Sequence, residues 1–175
     1  DALQIRYKDK LYAYDKYIPD LVTRLNFRTD IAYSGDITGD DNLKLNVDNG
    51  TLAYSGNANV ASVQVASGAA LAGGTYTVND MTAKMAEGFS DSTTGRLINH
   101  GTIRPATADM TIHGRLVSDG SIGLVSADGQ QARQIVVDGS AAVQGSKLVR
   151  TAGSAYLPDK SYTFLNASGG LTGSL

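Results

Sequence analysis

The chain has no cysteine and no tryptophan, and only three prolines and three phenylalanines in 175 residues. Without cysteine there are no disulfide staples and no thiolate metal sites, a composition compatible with export through an oxidising compartment and shared by many cytosolic chains. Charge of one sign is lacking too. Fifteen Lys and Arg against seventeen Asp and Glu leave a net charge of −2, so there is no basic field to gather nucleic acid or anionic lipid. Neither is an expected partner. No apolar run approaches the roughly 18 residues of a membrane span. No initiating methionine or signal peptide stands at Asp1, and the chain reads as a segment of something longer.

What is present is glycine, twenty of them, with abundant Ser, Thr, Asn and Asp, and a hydrophobic fraction of 42% carried mainly by Ala, Val, Leu and Ile. Such a chain turns often and builds its core from many small contacts. Five glycines share one context. Val47-Asp-Asn-Gly-Thr-Leu52, Val65-Ala-Ser-Gly-Ala-Ala70, Ile98-Asn-His-Gly-Thr-Ile103, Val117-Ser-Asp-Gly-Ser-Ile122 and Val136-Val-Asp-Gly-Ser-Ala141 place Val or Ile three residues before each Gly and Leu, Ile or Ala two residues after it. The apolar positions read as core-facing. Gly50, Gly68, Gly101, Gly120 and Gly139 read as tight corners needing positive φ.

The corners are spaced by 18, 33, 19 and 19 residues. One turn of short strands cannot bury its apolar face alone, whereas turns stacked about 4.8 Å apart share one interior column. A coil of about 19 residues therefore predicts an all-β chain folded as a right-handed parallel β-helix, or β-solenoid, with an enlarged, loop-bearing coil across the 33-residue interval. Alternation of Leu43, Leu45 and Val47 with Lys44, Asn46 and Asp48 supports strands. Asp-Gly and Asn-Gly also make hairpin turns, and the near-constant coil length argues against an antiparallel sandwich built from them.

Residues 1–30 differ, with six of the fifteen Lys and Arg, four of the nine Tyr and no Gly. Leu3, Ile5 and Tyr7, then Lys8-Asp9-Lys10, then residues 11–17 read as a hairpin with a charged tip, and residues 21–27 as a strand or short helix. The expected organisation is an N-terminal extension over 1–30, β-helix coils over 31–95, and C-terminal coils with a cap over 96–175. Tyr7, Tyr12, Tyr14 and Tyr17 are candidates for a binding face, weighed against a hairpin that packs its Tyr face on the solenoid.

Chemistry-bearing constellations are scarce. His100 occupies the corner slot held elsewhere by Asn49, Ser67, Asp119 and Asp138 and reads as a turn residue, and His113 reads as outward-facing. No Gly-x-Ser-x-Gly elbow occurs, so no hydrolase triad, and no enzyme, is expected here. Gly35-Asp-Ile-Thr-Gly-Asp-Asp-Asn42 is similar to acidic Ca²⁺ loops, but the Gly-Gly-x-Gly-x-Asp repeat is missing and a solvated turn is the better reading. No cofactor is expected. Asp119 and Asp138 could stack as a ladder of like charges, which would repel. Arg96, Arg104, Arg115 and Arg133 lack the clustered carboxylates of a polysaccharide-active enzyme.

Over Ile31 to Leu175, and most closely beyond Gly95, the chain resembles a known family. Gly95-Arg-Leu-Ile-Asn-His-Gly-Thr-Ile-Arg-Pro105 and Thr111-Ile-His-Gly-Arg-Leu-Val-Ser-Asp-Gly-Ser-Ile-Gly-Leu124 resemble coil passages of bacterial autotransporter passenger domains. Gln134 to Val143 resembles the next coil, with Arg133 or Gln134 where the family has Asp. Ser161-Tyr-Thr-Phe-Leu-Asn-Ala-Ser-Gly-Gly-Leu-Thr-Gly-Ser-Leu175 is similar to the ending that precedes the outer-membrane barrel, with Leu175 in place of an aromatic. The resemblance implies an autochaperone: a cell-surface or secreted stem that emerges first across the Gram-negative outer membrane and templates later coils.

Ile112, Val117, Ile122, Val136, Val143, Tyr162, Phe164 and Leu171 would form its folding nucleus, with Tyr156, Tyr162 and Phe164 burying large area at the cap. Implied partners are its own outer-membrane β-barrel in cis, an upstream passenger domain and host surface molecules. Two further readings stay open. One is an adhesin or self-association module using the solenoid flank and the Tyr-rich segment. The other is the stem of a secreted protease or esterase whose catalytic domain lies upstream.

Overall fold

A computed structural model describes residues 4–7, 10–13, 23–80, 94–126, 128–151, 157 and 161–175. Among them every regular element is a strand. β1 (Gln4–Tyr7) and β2 (Lys10–Ala13) pair antiparallel, with Tyr7 in register with Lys10. Every other pairing is parallel.

The chain winds through three sheets in turn. The first coil is β3 (Thr23–Phe27), β4 (Ile31–Tyr33) and β5 (Ile37–Thr38), and the second is β6 (Leu43–Val47), β7 (Thr51–Tyr54) and β8 (Asn57–Val60). The third is β9 (Ser62–Val65), β10 (Ala70–Ala72) and β11 (Thr75–Val78), and the fourth is β12 (Arg96–Asn99), β13 (Thr102–Arg104) and β14 (Met110–His113). The fifth is β15 (Arg115–Ser118), β16 (Ser121–Leu124) and β17 (Ile135–Val137), and the sixth is β18 (Ala141–Ala142), β19 (Lys147–Arg150) and β20 (Leu165–Ala167). β21 (Leu171–Thr172) begins a seventh. Strands of like position stack into a seven-stranded first sheet and six-stranded second and third sheets. The architecture is a parallel β-helix.

Alternation decides what lies inside. Leu25, Leu45, Val63, Leu97, Leu116, Ala141 and Leu171 follow one another in register down the first sheet. Leu52, Leu71, Ile103 and Ile122 do so down the second, and Ala58, Tyr76, Ile112 and Val137 down the third. Nearly all of these are fully buried. Hydrophobic burial, worth about 1.5–3 kcal/mol per large side chain, is therefore repeated once per strand per coil. It fails at the ends, where inward-register Ile31, Leu148 and Leu171 are 42%, 41% and 55% exposed.

Two expectations change here. The coils begin at Thr23, ahead of the compositional break at residue 30, because Leu25 and Phe27 supply inward positions that pair with Leu45 and Val47. Coil length is also less regular than the glycine spacing suggests. Successive first-sheet partners lie 20, 18, 34, 19, 25 and 30 residues apart. The excess enters at corners. Residues 79–95 separate the third sheet from the first after coil three. Between second and third sheets the links lengthen from Gly73-Gly74 to residues 105–109, 125–134 and 151–164.

Candidate functional site

Four of the five repeated glycines stack at the corner leading from the first sheet to the second. Each corner residue hands its carbonyl to the coil after it: Gly50 O to Ala70 N at 2.9 Å, Ala69 O to Thr102 N at 3.0 Å, Gly101 O to Ser121 N at 2.7 Å and Gly120 O to Lys147 N at 2.9 Å. Gly139 belongs elsewhere. It follows the third sheet and sits over Gly114, so its 19-residue distance from Gly120 is a coincidence of spacing and not a coil.

The reason for glycine also differs from the expected one. Gly50 and Gly68 have φ of 73° and 87°, but Gly101, Gly120 and Gly139 do not adopt positive φ. There the constraint is close approach. A Cβ at Gly101 would come within clashing distance of Ala69 O and Ala66 O, one at Gly120 would meet Gly101 O, and one at Gly139 would meet Gly114 O. Adjacent coils touch backbone to backbone, and a side chain would force them apart.

The two histidines lie at different corners, and each meets the Asp one coil further on. His100 Nδ1 is 2.7 Å from Asp119 Oδ1, and His113 Nδ1 is 3.0 Å from Asp138 Oδ2, all four side chains being well exposed. Asp119 and Asp138 therefore do not stack on each other; an imidazole separates each from the coil before. The acidic stretch Gly35–Asn42 is likewise divided: Asp36 precedes β5 and accepts from Asn57 N at 3.1 Å, whereas Asp40, with φ of 46°, and Asp41 follow β5. Among the described residues no group of three His, Asp or Glu is placed to hold a metal ion.

At the corner between second and third sheets stands a feature the glycine repeat did not reveal. Tyr33, Tyr54 and Tyr76 form an interior file, with ring centroids 6.1 and 5.7 Å apart. Tyr54 OH donates to Gly35 O at 2.8 Å and Tyr76 OH to Gly73 O at 2.7 Å, so each buried phenol is satisfied by a corner carbonyl. Burial pushes the Tyr54 phenol well above its ordinary value, with the Asp36 charge adding to the shift; burial does the same to Tyr76, reinforced by Tyr54. The sequence carried the signal: Ala-Tyr-Ser-Gly occurs at 32–35 and again at 53–56.

Residues expected to form one nucleus are dispersed. Ile112, Ile122 and Val143 are fully buried. Val117 and Val136 fall on outward positions between Leu116 and Ser118 and between Ile135 and Val137, and Val117 is 37% exposed. Tyr162 and Phe164 are partly buried, the former donating to Gly129 O at 2.6 Å, and Leu171 is largely exposed. Tyr156 lies outside the described residues. So do Tyr14 and Tyr17, whereas Tyr7 and Tyr12 lie on β1 and β2.

The outer face of the first sheet brings together residues far apart in sequence. Arg24, Lys44, Ser62, Arg96 and Arg115 form one file in register, so Arg96 and Arg115 are neighbours after all. Arg115 Nη2 meets Asp80 Oδ1 at 3.3 Å. Arg104 lies on β13 and Arg133 in the link before β17. Beside this file runs a groove of about 410 Å³ lined by Arg24, Lys44, Asn46, Asp48, Gln64 and His100, among others. Asn46 Nδ2 donates to Asn26 Oδ1 at 3.0 Å, while its own Oδ1 is buried without a donor. No family model, curated protein or solved structure matches the chain.

Proposed function

We propose that this chain is the stem and autochaperone segment of an autotransporter passenger, nucleating β-helix folding as the passenger crosses the outer membrane. The observation that carries the reading is the nearest-neighbour character of the coils: among the described residues every parallel ladder joins a strand only to its counterpart one coil before or after. In such an array the first coils to form bear the unfavourable nucleation step and each later coil adds against a ready edge. Coils four and five carry the tightest interior of the C-terminal half, with Leu97, Ile103, Ile112, Leu116, Ile122, Ile135 and Val137 at 0–1% exposure, and Ala141 at the start of coil six continues it at 0%. These residues form the nucleus in this reading, displacing Val117, Val136 and Leu171. Surface display of a passenger carrying this segment, read by protease accessibility on intact cells, tests it. Ile112→Asp should block display and the outward Val136→Asp should not; normal display of Ile112→Asp would refute the proposal.

A binding role for the solenoid flank is the second reading, favoured by the groove on the first sheet and its donorless Asn46 Oδ1. It expects Arg24→Ala with Gln64→Ala to reduce attachment to cells or matrix at unchanged surface level; unchanged attachment would remove it.

A further inference from the structure

The file of corner glycines begins at the chain's one Asn-Gly dipeptide, Asn49-Gly50. Asn49 is exposed, and the Gly50 N–H donates to Asn49 Oδ1 at 3.0 Å. That contact holds the backbone nitrogen beside the side-chain carboxamide carbon, so the intramolecular attack starts with its reacting groups already close together. Glycine adds no Cβ to obstruct the approach. Other corner glycines are held differently: Gly120 N donates to Asn99 O at 3.1 Å, Gly129 N to Ser126 Oγ at 3.0 Å and Gly169 N to Gly139 O at 2.8 Å.

We propose that Asn49-Gly50 is a site of spontaneous deamidation in the folded protein. The Gly50 amide proton passes to solvent base and the nitrogen attacks Asn49 Cγ. The new N–Cγ bond closes a five-membered succinimide. The bond from Cγ to the side-chain nitrogen breaks, and that nitrogen leaves with an added proton as ammonia. Water then adds to one of the two imide carbonyl carbons and reopens the ring, giving aspartate or isoaspartate. No oxidant, reductant or cofactor takes part.

The two products differ in what they do to the coils. Aspartate adds a carboxylate to a corner that already holds Asp30 and Asp48, the latter 3.6 Å from Arg28 Nε. It leaves the backbone path intact. Isoaspartate inserts a methylene into the main chain immediately before Gly50, whose carbonyl anchors Ala70 N and where even an added Cβ would lie 2.6 Å from Thr29 C and 2.7 Å from Asp30 N. The corner has no slack to absorb it. Isoaspartate at 49 thus unpins coil two from coil three at this edge, an ageing lesion in the N-terminal coils and remote from coils four to six.

The test is incubation of the full chain at mildly alkaline pH, folded and in urea, followed by peptide mapping and isoaspartyl methyltransferase labelling. Residue 49 should be the first Asn to convert, at least as fast in the folded chain as in urea, and Asn49→Gln, which cannot close the five-membered ring, should abolish the signal in the peptide that holds residue 49 while leaving any from the Asp-Gly sites at 119, 128 and 138. Amide exchange separates the products: the isoaspartate fraction should lose protection at Ala70 while an Asn49→Asp variant keeps it. Slower conversion in the folded chain than in urea, or earlier conversion of another Asn, overturns the proposal.

Discussion

Gly68 and Gly101 occupy the same slot of the same sequence pattern, yet the structure assigns them opposite sensitivities. At Gly68 a Cβ meets nothing within 4 Å, and the only obstacle is a φ of +87°. For Gly68→Ala the left-handed backbone costs about 1–2 kcal/mol, offset by about 0.4–1 kcal/mol from the stiffer unfolded chain, leaving a net loss near 1 kcal/mol. Asn tolerates this backbone better than Ala, so Gly68→Asn should lose less.

At Gly101 the backbone is ordinary, but a Cβ would clash with Ala69 O and Ala66 O. These oxygens accept from Thr102 N and Ala69 N, each at 3.0 Å. Restoring ordinary contact near 3.4 Å parts the coils by about 1 Å and breaks the bond from Thr102 N to Ala69 O that joins them, while the bond from Ala69 N to Ala66 O stays within coil three. With the Thr102 N–H and the Ala69 carbonyl left unpaired, at about 1–3 kcal/mol each, Gly101→Ala should cost about 2–6 kcal/mol, and Asn should be no better than Ala.

Urea unfolding followed by circular dichroism measures the losses. Because coils interact only with their neighbours, an array need not unfold in one step, so amide exchange should localise the effect, with Thr102 losing protection in Gly101→Ala and not in Gly68→Ala. Equal losses at the two sites, or rescue by Asn at 101 as at 68, would refute the close-approach explanation.

Three further outcomes follow from the interior. Tyr54 and Tyr76 have phenol pKa values raised by burial above the unfolded value of about 10; the folded chain then binds more protons, so this contribution is intact below about pH 10 and falls as pH rises beyond it. A Tyr54→Phe, Tyr76→Phe pair should flatten that alkaline fall while costing about 1–3 kcal/mol per site at neutral pH, because Gly35 O and Gly73 O lose their donors. Leu45→Ala, at a fully buried rung, should cost about 2–5 kcal/mol, whereas Leu171→Ala, at the open end of the same file, should change urea stability by less than about 0.5 kcal/mol. Asn99 is fully buried with an unpartnered Oδ1 and stands in register with Val65; Asn99→Val should cost about 1–3 kcal/mol, because the orphan oxygen leaves but Ser121 O loses its Asn99 donor, while Ser118 Oγ keeps Ser146 Oγ.

Much of the fold was legible because a solenoid writes its period into the chain. Val47, Val65 and Ile98 before their glycines, and Leu52 and Ile103 after them, announced stacked strands flanking a repeated turn. The site was less legible. His100 reads as a turn residue in sequence, and only stacking gives it Asp119 as a partner. Arg24, Lys44, Arg96 and Arg115 fall into one file because each occupies the same register position in a different coil. Spacing conceals this, since residues 79–95 intervene between Lys44 and Arg96.

By itself the sequence determined that short strands alternate with glycine corners, and local chemistry suffices for that: side-chain alternation selects the buried face, and small polar residues with Gly make the turns. The tertiary structure alone decided which corners stack. Loop closure costs rise only slowly with length, so links of two to fourteen residues can join the second and third sheets without disturbing the ladders. Distance along the chain then ceases to measure position around the coil. That is why Gly139, nineteen residues beyond Gly120, rests on Gly114, and why three glycines expected to supply positive φ are held instead by the carbonyls of the coil beneath.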